Sequence, residues 1–181
     1  MRLLLLALLL AGPAQGQTAS GTYMPPSGSF VCNLKEGWTT LEERSPQGMS
    51  VHLFGPASTP GLIPPAYHIH LIQKDTPGFL DISDAVKKTR KKERFAERTP
   101  APPQSVRYAG RSMKLFEVRE RRRLPAEALP SEAAVLHHFY AFIPAGDDYF
   151  IVKLTVDEEE FEDYRQEFRG FLKGFQIIGR K

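Results

Sequence analysis

The stretch AAVLHHFYAFIPAGDDYFIVKLTV, Ala133 to Val156, leaves this chain few architectures. It reads as two alternating apolar strands joined at Pro144-Ala145-Gly146-Asp147-Asp148, a run that favours a turn. Successive side chains of a strand face opposite ways. Leu136, Tyr140 and Phe142 therefore take one side, and Phe139, Ala141 and Ile143 the other. Both sides are apolar, so a sheet built on this hairpin needs a cover on each face.

Two helices can supply it. Phe161, Tyr164, Phe168, Phe171, Leu172 and Phe175 recur at helical spacing as one aromatic stripe. Asp157 and Glu160 before them read as a capping box, and Gly170 and Gly174 as points of close approach to the sheet. Earlier, Ile82, Ala85, Val86 and Thr89 follow Asp81 at helical spacing and predict a helix reaching to about Glu97. Thr99-Pro100-Ala101-Pro102-Pro103 then reads as its stop. The remaining segments alternate. GWTTLEER and MSVHLF pair as a hairpin around Ser45-Pro46-Gln47-Gly48. The loops GPASTPGLIPP and LPAEALPSE carry no periodicity. YHIHLIQ is a further strand, and QSVRYAGRSMKLFEVRERRR is one or two strands around Ala109-Gly110. The expected fold is α+β: an antiparallel sheet of about seven strands with a helix covering each face, an α/β/α sandwich.

The chain opens MRLLLLALLLAGPAQGQ. A charged start, an apolar run from Leu3 to Ala11 about half as long as a membrane span, a break at Gly12-Pro13 and an Ala14-Gln15-Gly16 cleavage pattern read as a secretory signal over residues 1–16. Residues 17–29 read as a flexible lead-in and residues 30–178 as a single domain. No transmembrane segment is expected. The protein is expected to be exported, to the periplasm or outside the cell. A lone cysteine, Cys32, excludes an intramolecular disulfide and reads as a small buried hydrophobe. The net charge of +3 falls by one unit with Arg2 and demands no acidic partner, and export argues against nucleic acid.

The order of these segments resembles the PsbP/Mog1-like fold family. The resemblance rests on Gly37-Trp38 after a short strand, a helix after the fourth strand, YAGRSMKLFEV, the hairpin strand GDDYFIVKLTV and the closing helix EEFEDYRQEFRGFLKGFQII. It spans Phe30 to Ile178. It implies protein binding without catalysis and supplies no site motif, since fold alone does not fix function.

Two groups of residues carry candidate chemistry. His68 and His70 share a strand face about 7 Å apart, and His52 in a preceding strand can join them as a metal site. His137 and His138 are consecutive and face opposite ways. Arg119, Arg121 and Arg123 share another strand face, where like charges repel unless something answers them. They form either a docking surface for a partner or the outer half of internal ion pairs. No nucleophile, phosphate-loop or dinucleotide motif is present. The expected function is an exported, non-catalytic protein that binds another envelope or secreted protein, without a cofactor. The alternative is a metal-binding protein or metal-dependent enzyme using His52, His68 and His70. Oligomeric state is left open.

Overall fold

The structure, a computed structural model, describes residues 21–45, 47–56, 63–91, 97–124 and 132–179. The expected signal and much of the two aperiodic loops lie outside the described residues.

Two sheets and two helices make up the described fold. The strands are β1 (Gly21–Tyr23), β2 (Phe30–Leu34), β3 (Thr39–Ser45), β4 (Gly48–Phe54), β5 (Ala66–Ile72), β6 (Glu97–Pro100), β7 (Gln104–Tyr108), β8 (Arg111–Leu124), β9 (Glu132–Ala145), β10 (Asp148–Asp157) and β11 (Gln176–Ile177). Helix α1 is Ile82–Thr89 and α2 is Phe161–Gly174. The large sheet has the order β3-β4-β5-β10-β9-β8-β6, with β7 also on β8, and its pairings are antiparallel. A small sheet, β1-β2-β11, joins the two ends of the described chain. The fold is α+β and mostly antiparallel, with more strands than the expected seven, because the lead-in contributes β1, the Pro-rich stop β6 and the segment after α2 the short β11.

Local chemistry accounts for most elements. β9 and β10 close as a hairpin with Gly146 at φ +73°. β7 and β8 close at Ala109 and Gly110, both at positive φ (47° and 78°), the backbone a tight hairpin with the native strand twist requires. β6 and β7 follow one another along the outer side of β8, broken at Ala101-Pro102-Pro103. Proline there ends no helix; it is tolerated because an edge strand can spare an N–H.

The helices differ from expectation in detail. α1 ends at Thr89, well short of Glu97, which pairs with Arg121 as part of β6. Only Ala85 and Val86 of α1 are buried, and residues 92–96 lie outside the described residues. α2 begins without a side-chain cap on Glu160. Asp157 is instead the last residue of β10, and its carboxylate accepts the backbone N–H of Ile63. Gly174 does sit close to the sheet layer, where a Cβ would meet Asn33 Nδ2 at 2.9 Å, whereas Gly170 faces open space.

The core divides at the large sheet. On one side Phe168, Phe171, Leu172 and Phe175 join Val51, Leu53, Ile69, Phe139, Val152 and Leu154, together with Phe30 and Cys32 of the small sheet. On the other, Ala85 and Val86 meet Ile72, Phe116, Val118, Tyr140, Phe142 and Tyr149. The expected helical cover on both faces is therefore incomplete: α1 is short, and the side it packs on continues beyond it as a field of polar side chains.

Candidate functional site

Strand register builds that polar field row by row. Residues paired directly across an antiparallel sheet share a face with Cβ atoms about 4.5–5.5 Å apart. One row runs Leu41, His52, His68, Lys153, Tyr140, Phe116 from β3 to β8. The next runs Glu43, Ser50, His70, Ile151, Phe142. A third carries Phe54, Ala66, Thr155, His138 and Val118. The first two rows pass from polar or exposed residues at β3 and β4 to Tyr140, Phe116 and Phe142 on β9 and β8, on the side where α1 packs. His52, His68 and His70, expected to share a face, are brought together here, and His138 joins the same face.

The histidines are engaged with their neighbours. His52 Nδ1 and His68 Nδ1 lie 2.7 Å apart, so one ring donates and the other accepts. Ser50 Oγ and His70 Nδ1 are 2.7 Å apart. His138 Nδ1 lies 3.0 Å from Thr155 Oγ1, and its Nε2 lies 3.4 Å from Glu120 Oε2. Glu43 Oε2 stands 3.6 Å from His52 Nε2. Burial pushes the His68 imidazole down to about 4, with help from the charge of Lys153 and from the other rings. Burial also lowers His70 and His138, against the pull of Glu43 and Glu120 respectively. These three rings are therefore neutral at neutral pH, with one nitrogen to donate and one to accept. A neutral His138 that donates from Nε2 to Glu120 accepts at Nδ1 from the Thr155 hydroxyl.

Glu120 anchors the buried end of the field. Arg98 Nε is 3.2 Å from its Oε2 and Arg122 Nε is 3.3 Å from its Oε1. The hydrogen bond from His138, and then the two guanidinium charges, hold its carboxyl below the ordinary range despite burial. Glu120, Arg98, Thr155 and Ser50 did not stand out in the sequence. Phase could have found Glu120: it continues the Phe116, Val118 alternation onto a buried register.

Chemically, carboxylate, imidazole and hydroxyl in series resemble a proton relay. Here all three members are buried, Glu120 at 5%, His138 at 3% and Thr155 at 9% exposed. The described cavities are lined by other residues: about 430 Å³ beside Arg111, Phe150 and Ile177, about 610 Å³ beside Glu42, Glu43 and Met49, and about 350 Å³ beside α1 and Tyr149. Among the described residues no three His, Cys, Asp or Glu side chains are arranged to hold a metal ion. Cys32 is buried and its thiol is pushed up to about 12 by burial, so it is an inert core residue.

Of the strand arginines, Arg119 is paired with an acidic side chain. Arg119 makes a two-pronged pair with Glu158, at 2.9 and 3.2 Å, and Glu158 also faces His137 Nε2 at 3.6 Å. His137 stacks on Phe161 on the α2 side, opposite His138 as expected. Arg121 and Arg123 are exposed.

No protein-family model and no curated protein matches the sequence. Solved structures do match in fold. One is the solution structure of cyanobacterial PsbP from Synechocystis sp. PCC 6803, with TM-score 0.58 and 11% identity over 93% of this chain and 99% of that one. Another is the crystal structure of PA94 from Pseudomonas aeruginosa, titled a protein of unknown function and putative regulator, with TM-score 0.53 and 12% identity over 91% of this chain and 99% of that one. Identity this low carries the fold and nothing further. This chain has a PsbP-like fold.

Proposed function

We propose that this is an exported, non-catalytic protein that binds another envelope or secreted protein, in the periplasm or outside the cell. The observation that carries the reading is how the reactive side chains are spent. Ser50, His52, His68, His70, Glu120, His138 and Thr155 bond to one another in the sheet layer, and the cavities are lined by other groups. Hydrogen-bonded networks of this kind specify a sheet; catalysis needs such groups aimed at a site a substrate can enter. The N-terminal apolar run supports export, and among the described residues no helix is long and apolar enough to cross a membrane.

Two measurements test the reading. Intact mass of the exported form should correspond to a chain starting at or near Gln17; retention of Met1 overturns export. Cross-linking of the folded mature protein in envelope and secreted fractions should capture a partner that unlabelled folded protein competes away. Capture that the heat-denatured protein matches, or no capture, overturns the binding role.

A second reading has one observation in its favour. His52 and His68 are directly cross-strand with their Nδ1 atoms facing, and His70 is the diagonal neighbour, its ring 5.8 Å from that of His52. Neutral imidazoles are the form that ligates zinc or copper. Calorimetric titration of the purified protein with Zn²⁺ and Cu²⁺, beside His68→Gln, separates the readings: saturable binding lost in the variant favours the metal, and no heat disposes of it.

A further inference from the structure

The two long edges of the large sheet are built differently. The β6–β7 edge is interrupted by Pro100, Pro102 and Pro103, which blunt it against pairing. The β3 edge has seven residues, Thr39–Ser45, without a proline, and among the described residues no strand pairs its outer side. Such a strand presents a row of backbone donors and acceptors that can accept another chain.

Three features of that edge specify what it suits. Leu41 and Phe54, two large hydrophobics exposed at 41% and 37%, lie on neighbouring rows at this corner. Toward the other end of the strand the cavity of about 610 Å³ opens between β3, β4 and the Pro26–Ser27 connector, lined by Glu42, Glu43, Arg44 and Met49. Glu42 and Arg44 alternate with Leu41 and Glu43 and so point to the opposite face of the sheet. Glu43 is exposed, while Glu42 is partly buried, and burial raises its carboxyl. Two carboxylates against one guanidinium leave the β3 edge acidic. A second copy of this chain fits poorly, because two β3 strands paired about their centres would set Glu42 opposite Glu42.

We propose that β3 is a docking edge for an extended basic segment of a partner protein, which adds as a further antiparallel strand and seats a lysine or arginine side chain in the cavity beside Glu42, while the exposed Glu43 adds to the acidic charge of the edge. The proposal rests on the protein-binding reading and names its surface. Main-chain hydrogen bonds along β3 supply affinity, the carboxylates fix charge preference and register, and Leu41 and Phe54 take alternate apolar side chains of the segment.

The test is an amide-resolved NMR titration of the mature protein with a capped Lys-Val-Lys-Val-Lys-Val peptide, beside its Glu-Val counterpart. The expected result is saturable shifts over residues 39–45, slower hydrogen exchange at alternate β3 amides, and no response to the acidic peptide. Methylating alternate peptide nitrogens should abolish binding. Glu43→Lys, at an exposed position, should weaken it by about tenfold or more. Shifts mapping elsewhere, equal binding of the acidic peptide, or an unchanged Glu43→Lys variant overturns the proposal. So does self-association through residues 39–45, which would make a second copy the occupant. If Glu43→Lys still captures the cross-linked partner as the parent does, the edge assignment fails while the binding role stands.

Discussion

His68 shows how one residue's setting becomes a property of the fold. Burial and Lys153 bring its imidazole from 6.5 to about 4. Between those values the unfolded chain binds a proton that the folded chain does not. Stability is therefore complete above about pH 6.5 and falls as pH drops through that window. His70, His137 and His138 are also lowered chiefly by burial, so they add in the same direction. Urea melts should give a lower midpoint at about pH 5 than at about pH 7.5, and His68→Gln should narrow the difference. An equal or larger difference in the variant would mean that His68 is protonated in the folded state.

Single residues also separate the two kinds of ion pair. Arg98 and Glu120 have side chains only 8% and 7% exposed, whereas Arg119 and Glu158 are 53% and 45% exposed. Removing one member of a buried pair strands the other, so Glu120→Ala should cost about 3–5 kcal/mol. The exposed pair exchanges solvation for a screened attraction, and a double-mutant cycle on Arg119 and Glu158 should return about 0.2–1 kcal/mol. Arg119, Arg121 and Arg123 are exposed, so their joint replacement by Ser should move the denaturation midpoint little. A loss as large as that of Glu120→Ala would make these arginines structural.

At the scale of elements, α2 offers a test of what its glycines do. Gly170 is exposed and an added Cβ would meet nothing within 4 Å. Its only effect is then on the helix, and Gly170→Ala should stabilise by about 0.5–1 kcal/mol. Gly174→Ala should gain less, since its Cβ must displace Asn33. A loss at Gly170 would place something against that face. Both glycines read alike in the sequence because helical spacing reports which face a residue is on, while the approach of Asn33 depends on how β2 crosses α2. The same limit explains the other differences. Hairpins such as β9–β10 and β3–β4 are legible because turn residues fix them locally, whereas Ala109-Gly110 leaves open one bent strand or the two strands that form. Asp157 carries the local signature of a cap but is claimed by Ile63, 94 residues away in sequence. The histidine face was legible because period two places His68 and His70 together; Glu120, Arg98 and Thr155 were not, because their partners come from strands brought together only by the sheet.

The whole molecule is closed by its small sheet, where the two ends of the described chain meet. Phe175 stacks on Phe30 with centroids 4.9 Å apart, and Phe150 meets Phe30 edge-on at 5.8 Å. Gln176 and Ile177 pair with Val31 and Phe30, and Ile178 N–H donates to Ser29 O at 3.0 Å. Phe30 and Phe175 are both buried. A chain ending at Gly174 keeps all of α2 but loses β11 and the Phe175 ring, exposing the end of the larger core. By the cost of emptying a buried phenylalanine site alone, it should lose at least about 3 kcal/mol. A chain ending at Gly179 keeps every one of these contacts and should melt with the parent. Removing residues up to Tyr23 instead takes away β1, whose one ring contact with Phe30 is at 6.3 Å and half-buried, and should cost less than the C-terminal cut. Equilibrium urea unfolding of the three truncations orders them. If the Gly174 truncation unfolds with the parent's midpoint, the small sheet is an appendage, and α2 alone seals that side of the large sheet.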